Sequence, residues 1–254
     1  MDISWGRNEH LQVKLALEAV NVEGRTQYHA HGRKLRCAPF PPVIATSGQR
    51  KKRKMTLSEI IEARKKILSN AEELIEEGAI LFNSNKYPRA FALAHLACEE
   101  LAKLPVLNTA ALNILICEKN DWQKTNRRLV SHTEKLRLSA GMDYMWEEVQ
   151  ADDSDVRRYE KALEAVPDFN NLKNASLYAG FHNHKFVQPS ELIKEELSKN
   201  MLCLARYRLG RYREHEKAFH EAIVTKQGKS KLADLWRSYR KIHEIVGQTM
   251  GGKK

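Results

Sequence analysis

The sequence has no run approaching the roughly 20 apolar residues needed to cross a bilayer, and its first residues lack the continuous apolar core of a secretory signal. Those absences predict a cytoplasmic protein with no membrane partner. Four cysteines, Cys37, Cys98, Cys117 and Cys203, are scattered without CxxC spacing, so neither a zinc site nor a disulfide framework is expected. There is no glycine-rich phosphate loop, no strand-helix-strand pattern and no internal repeat. What remains is an all-helical chain of 254 residues, long enough to bury a substantial core.

Its net charge of +11 is unevenly placed. Residues 1–55 hold 11 Lys and Arg against 4 acids (+7), residues 56–168 hold 15 against 20 (−5), and residues 169–254 hold 17 against 8 (+9). Clustered cations gain affinity for phosphates by displacing counterions, although such a run more often marks a solvated face. The first 55 residues combine an apolar alternation, Leu11, Val13, Leu15, Leu17 and Ala19, with an APFPP run and the basic cluster Arg50 to Lys54. Alternation argues for a strand, but no partner strand is visible. The tract reads as a weakly ordered extension, dispensable to a domain that starts near Thr56, with Met55 as an alternative start. A basic arm for phosphates is the other reading.

From Thr56 the pattern is helical. TLSE forms a capping box closed by Glu59, and Leu57, Ile60, Ile61, Ile67, Leu68, Ala71, Leu74, Ile75 and Phe82 continue at helical spacing. A second helix is expected from Pro88 to about Cys117, bent near Pro105. A third is expected from Asp121 to Ser139, ended by Gly141, and a mixed helix over 143–166. Residues 168–188, rich in Asn, His and Gly, read as an ordered loop. Pro189 opens a long helix with Ile193, Leu197, Met201, Leu204 and Ala205 on one face, and a final helix ends before Gly247. Three segments result: the extension 1–55, a helical domain 56–226, and a C-terminal helix with tail, 227–254.

The most informative stretch is Tyr87 to Leu107, YPRAFALAHLACEELAKLPVL, where Glu99, Glu100 and Lys103 interrupt an otherwise small and apolar helix. A Glu–Lys pair four apart is commonly a solvated pair. Here Ala97, Cys98, Leu101 and Leu104 surround it, so part of it should face a helix interface, where a charge needs a partner. Lys135, Arg127 or His132 of the third helix are the expected partners.

This stretch, with SHTEKL at Ser131 to Leu136 and SLYAGF at Ser176 to Phe181 followed by Pro189, resembles the AbiV family of bacterial abortive infection proteins, related to the HEPN helical superfamily. The resemblance covers about Thr56 to Arg213. It implies an all-α, HEPN-like antiparallel helical bundle that arrests phage development by blocking translation after sensing a phage product. The implied partners are a phage activator protein, RNA or the translation machinery, and a second copy of the chain in a homodimer. Two mechanisms stay open: a metal-independent endoribonuclease, or a non-catalytic helical binding module that blocks its target stoichiometrically.

A ribonuclease of this type needs a base for the ribose 2′-hydroxyl, an acid for the leaving 5′ oxygen and a cation for the phosphate, and no cofactor. Such nucleases resemble one another in an Arg and a His separated by four to six residues. Arg25–His31, Arg89–His95, Arg127–His132, Arg208–His215, Arg213–His220 and Arg237–His243 all fit, so spacing alone does not choose. Arg127 and His132 rank first because His132 opens the HTEK segment, with Lys135 three residues on. The catalytic candidates are therefore His132, Arg127, Lys135, Glu99, Glu100 and Lys103, and the binding candidates Arg89, His95 and Tyr178. Each has a plainer reading: a packed histidine, a structural network along His95, Glu99 and Lys103, a loop-anchoring tyrosine. His182 and His184 near Glu191 lack a recognisable third ligand for a metal, and Cys98 reads as a small core residue.

Overall fold

The computed structural model describes residues 54–146, 163–164, 166–182 and 184–251, with no account of the side chains of 144, 145 and 239–251. The chain divides between Lys54 and Met55 into two units, and every described helix and strand belongs to the second. The expected strand, the basic cluster up to Arg53 and most of the mixed helix over 143–166 lie outside the described residues.

Helix α1 spans Leu57–Asn83. Its capping box is formed as expected: Thr56 Oγ1 accepts from the Glu59 N–H at 3.2 Å, and Glu59 Oε2 accepts from the Thr56 N–H at 2.8 Å. These bonds satisfy amides that the first turn would leave unpaired. After a tight turn through Asn85 (φ 58°) the chain reverses into α2, Tyr87–Leu101, with Pro88 in its first turn. Phe82 and Tyr87 close the corner edge to face, 5.3 Å apart. At Gly78 a Cβ would lie 3.1 Å from Leu202 and 3.4 Å from the Ala90 carbonyl, so the missing side chain lets three helices converge.

Helix α2 is the axis of the bundle. Ala90, Ala94, Ala97, Cys98 and Leu101 are fully buried, because α2 packs against α1 and against the helices His132–Trp146, Val166–Leu177 and Glu195–Val224. Its alanines present little bulk, so neighbours approach on several sides.

The expected long helix from Pro88 to Cys117 is two helices. It breaks at Ala102, and α3 runs Lys103–Leu115. Pro105 offers no N–H to the carbonyl four residues earlier, and its ring is tolerated only in a first turn; the helix ends and restarts so that Pro105 falls there. The expected third helix also divides, into α4, Trp122–Val130, and α5, His132–Trp146. Ser131 is extended (ψ 117°) and its Oγ accepts from the Glu134 N–H at 3.3 Å, capping α5. Gly141 lies inside α5 and does not end it.

Residues 168–188 are not a loop. Val166–Leu177 form helix α6, and Gly180–His182 (β1) and Lys185–Val187 (β2) form an antiparallel hairpin with Phe181 opposite Phe186. The long helix expected from Pro189 is interrupted too: α7, Pro189–Leu192, is one turn, and α8 spans Glu195–Val224. Between them Ile193 turns inward, 1% exposed. Helix α9, Lys226–Gly251, continues past Gly247. Among the described residues no helix is long and apolar enough to cross a membrane.

Candidate functional site around Glu99

Glu99 sits in the last turn of α2 and is 2% exposed. A carboxylate at that depth is costly unless charge and hydrogen bonds surround it, and three helices supply them. From α5, Lys135 Nζ lies 2.8 Å from Oε2 and His132 Nδ1 2.5 Å from the same oxygen. From α6, Lys173 Nζ donates to Oε1 at 3.1 Å and to Asn170 Oδ1 at 2.9 Å. One turn earlier on α2, His95 Nε2 stands 3.4 Å from Oε1 without hydrogen-bond geometry.

The electrostatics reflect this packing. Burial alone raises the Glu99 carboxyl, but the contacts to His95, Lys135 and His132 outweigh it and hold the group well below the usual carboxylate range. His95 is fully buried between Phe91 and Phe169, with ring centroids 6.2 and 6.4 Å away. Burial pushes its pKa down, against the pull of Glu99, which favours the neutral ring. Formal charges of −1 on Glu99 and +2 on the two lysines leave one positive charge in excess, held behind a half-exposed imidazole.

His132 is the outward member of the cluster, its side chain 53% exposed. The Glu99 carboxylate can only accept, so the contact is satisfied when Nδ1 carries the ring proton. In the neutral ring that leaves Nε2 as the basic nitrogen. A buried carboxylate that orients an imidazole and fixes its tautomer is suited to general-base chemistry.

Of the residues singled out from the sequence, Glu99, His132 and Lys135 meet at this centre, and His95 lies beneath it. Arg127 does not join them: it is in the last turn of α4, on the far side of the break at Ser131. Glu100 and Lys103 pair with each other, one turn apart and partly buried. Arg89 is exposed and donates to the Leu177 carbonyl at 3.0 Å, at the end of α6. Tyr178 is 70% exposed next to it.

Lys173 is the residue that sequence reasoning misses, because its segment reads as a loop. A signal for the helix is nevertheless present: Val166, Phe169, Asn170, Lys173, Ser176 and Leu177 recur at helical spacing, and Val166, Lys173 and Ser176 are buried.

A second buried group braces α5 against α8. The Arg208 guanidinium grips Asp143 through two nitrogens, with Nε 3.0 Å from Oδ1. Burial pushes the Cys98 thiol up, outweighing the cationic Arg208 beside it, so Cys98 is a packed thiol rather than a nucleophile. Arg64 of α1, 2% exposed, pairs with Glu216 of α8 and lies 4.4 Å over the Phe219 ring. Among the described residues no group of three His, Cys, Asp or Glu converges where a metal ion could sit.

The bundle is helical apart from the short β1–β2 hairpin, and its central helix buries a carboxylate against two lysines and a half-exposed histidine. The HEPN-type AbiV family model matches residues 59–210, which include Glu99, His132, Lys135 and Lys173, and the chain belongs to the AbiV family. No curated protein and no solved structure shows a match.

Proposed function

We propose that this chain is an antiphage abortive infection protein that arrests phage development by cutting RNA without a metal, after a phage product triggers it, and so blocks translation. Membership of the AbiV family supports the defence role. The observation that carries the chemistry is the half-exposed His132, held through Nδ1 by a buried Glu99. In the cleavage step Nε2 takes the proton of a ribose 2′-hydroxyl. The freed oxygen attacks the adjacent phosphorus, and the bond to the 5′ oxygen breaks as that oxygen takes a proton from solvent. A 2′,3′-cyclic phosphate and a 5′-hydroxyl result. The excess positive charge of Lys135 and Lys173 favours the added negative charge of the transition state.

The test is His132→Ala, assayed for RNA cleavage, phage protection and melting temperature together. Because His132 is half exposed, protection and cleavage should both vanish while the melting temperature stays within about 2 °C of wild type. Retained cleavage removes His132 from the site. Loss of activity only through unfolding makes it a packing residue.

The stoichiometric binding module is favoured by a different observation: Arg127 stands apart from the centre, and Glu99 is saturated by basic partners as a structural network would be. Turnover separates the two. A catalyst at about one-hundredth of the RNA concentration keeps cleaving, whereas a binder releases no product.

A further inference from the structure

The hairpin after α6 leaves large aromatic surface in water. Phe181 and Phe186 are 76% and 66% exposed, and Tyr178 at the root of the hairpin is 70% exposed. The two phenylalanines face each other across the strands with ring centroids 5.2 Å apart and planes at 83°. A cross-strand aromatic pair steadies a hairpin, but these rings are not buried by the bundle. Contiguous exposed apolar groups of this kind mark interaction sites.

The surrounding charge selects the partner. From Tyr178 to Gln188 the segment contains His182, His184 and Lys185 and no acidic residue, in a stretch that also carries all three aromatic rings. An apolar protein surface would bury the rings but leave Lys185 and the two histidines without polar partners. Unpaired nucleobases stack on Phe, Tyr and His, and their phosphates attract Lys and Arg.

The hairpin's position adds a direction. Lys173 of α6 meets Glu99 at the end of α2, while the Leu177 carbonyl at the end of α6 meets Arg89 at the start of α2. The two helices are therefore antiparallel, and the hairpin root lies at the opposite end of their seam from the Glu99 centre. The helix between Arg89 and Glu99 is about 15 Å long along its axis. A few nucleotides of extended strand cover that span.

We propose that the Phe181–Phe186 pair, with Tyr178 at the root of the hairpin, is a stacking platform for unpaired bases of single-stranded RNA, whose backbone runs along the α2–α6 seam past Arg89 to His132. The proposal rests on the RNA reading of the Glu99 centre for the identity of the polymer. Duplex is a poor ligand, because its bases already stack on one another.

The experiment uses the full chain and a fluorescein-labelled 2′-O-methyl 12-mer, which lacks the hydroxyl needed for cleavage and so reports binding alone. Wild type should bind the single strand more tightly than a duplex of the same sequence. Phe181→Ala/Phe186→Ala should weaken binding by at least about tenfold, since one stacked base contributes about 5- to 150-fold, and Phe181→Tyr/Phe186→Tyr should restore most of it. Both variants should melt near wild type because the side chains are exposed. Absence of single-strand binding by wild type, equal affinity of wild type and the alanine variant, or preference for duplex each overturns the platform. So does a change from dimer to monomer in light scattering without a change in RNA affinity, which would make the hairpin a contact between copies. A parallel assay with cleavable RNA keeps the two proposals apart. Hairpin-dependent binding without any cleavage overturns the nuclease reading alone, and cleavage indifferent to the hairpin variants overturns the platform alone.

Discussion

Glu99→Gln is the most incisive perturbation, because it removes one charge at nearly constant shape from a centre that cannot tolerate the loss. Lys135 and Lys173 are 7% and 8% exposed and 2.8 and 3.1 Å from the carboxylate. At an effective dielectric of about 20 each contact has a gross attraction of about 5–6 kcal/mol, most of it offset by desolvation of both partners. Deleting the carboxylate leaves that desolvation in place with nothing opposing it, and breaking a buried pair in this way costs about 3–5 kcal/mol. For a helical unit of this size that is a fall in melting temperature of about 6–20 °C. Urea unfolding should show a lower midpoint with an unchanged slope. Adding Lys173→Met removes one stranded ammonium, so the double variant should be more stable than Glu99→Gln alone, a non-additivity confined to contacting residues. If Glu99→Gln melts within about 2 °C of wild type, water reaches the cluster freely and the centre is neither dry nor preorganised.

The same geometry sets two further outcomes. His95 and Glu99 both have folded-state pKa values below their unfolded ones, so the unfolded chain takes up protons first as pH falls. Their stabilisation is full above about pH 6.5; the His95 share declines below that, and the Glu99 share only below about pH 4.3. Each group contributes a slope of at most about 1.4 kcal/mol per pH unit, and urea midpoints at about pH 7.5, 5.5 and 4 in wild type and His95→Phe measure them. A flat midpoint between about pH 7.5 and 5.5 in wild type would contradict a buried neutral His95. Ser131→Ala should cost about 0.5–2 kcal/mol by uncapping α5, and should lower RNA cleavage more than a control cap variant, Thr56→Ala, of similar thermal effect. Equal cleavage in the two variants would show that the start of α5 does not position His132.

The legible parts of the fold are those written in local chemistry or apolar spacing. TLSE announces the start of α1, and the alanine-rich stretch announces a helix packed on several sides. The breaks are harder. Pro105 signals a bend near the right place, but the chain breaks three residues earlier so that the proline enters a first turn. Ser131 is readable in principle, since SHTE repeats the pattern of TLSE; continuous periodicity on both sides conceals it. At Ile193 the driving force is tertiary, a buried side chain pulling the chain inward between α7 and α8, and no local signal encodes it.

The candidate site is half legible for a reason that also explains why α6 is hard to read. A search for helical faces counts apolar residues, and α6 turns inward not only Val166 but also Lys173 and Ser176. Ser176 is acceptable there because its hydroxyl donates to the Lys173 carbonyl at 2.6 Å. Lys173 is acceptable because Glu99 comes to it from α2. The polar character that hides the helix is thus the consequence of its partner in another helix, and neither residue can be interpreted alone. The same logic explains why Arg127 does not meet the Glu99 centre. A pair read as Arg-x4-His assumes one continuous helix, but the extended Ser131 lies between the two residues, and the cap that begins α5 sets the register of His132 independently of α4. His132 and Lys135, three apart on α5, keep their common face and reach Glu99 together. Arg127 belongs to a different helix and stays outside the cluster. In this bundle the position of a cap, more than the count of residues between charges, decides which side chains share a centre.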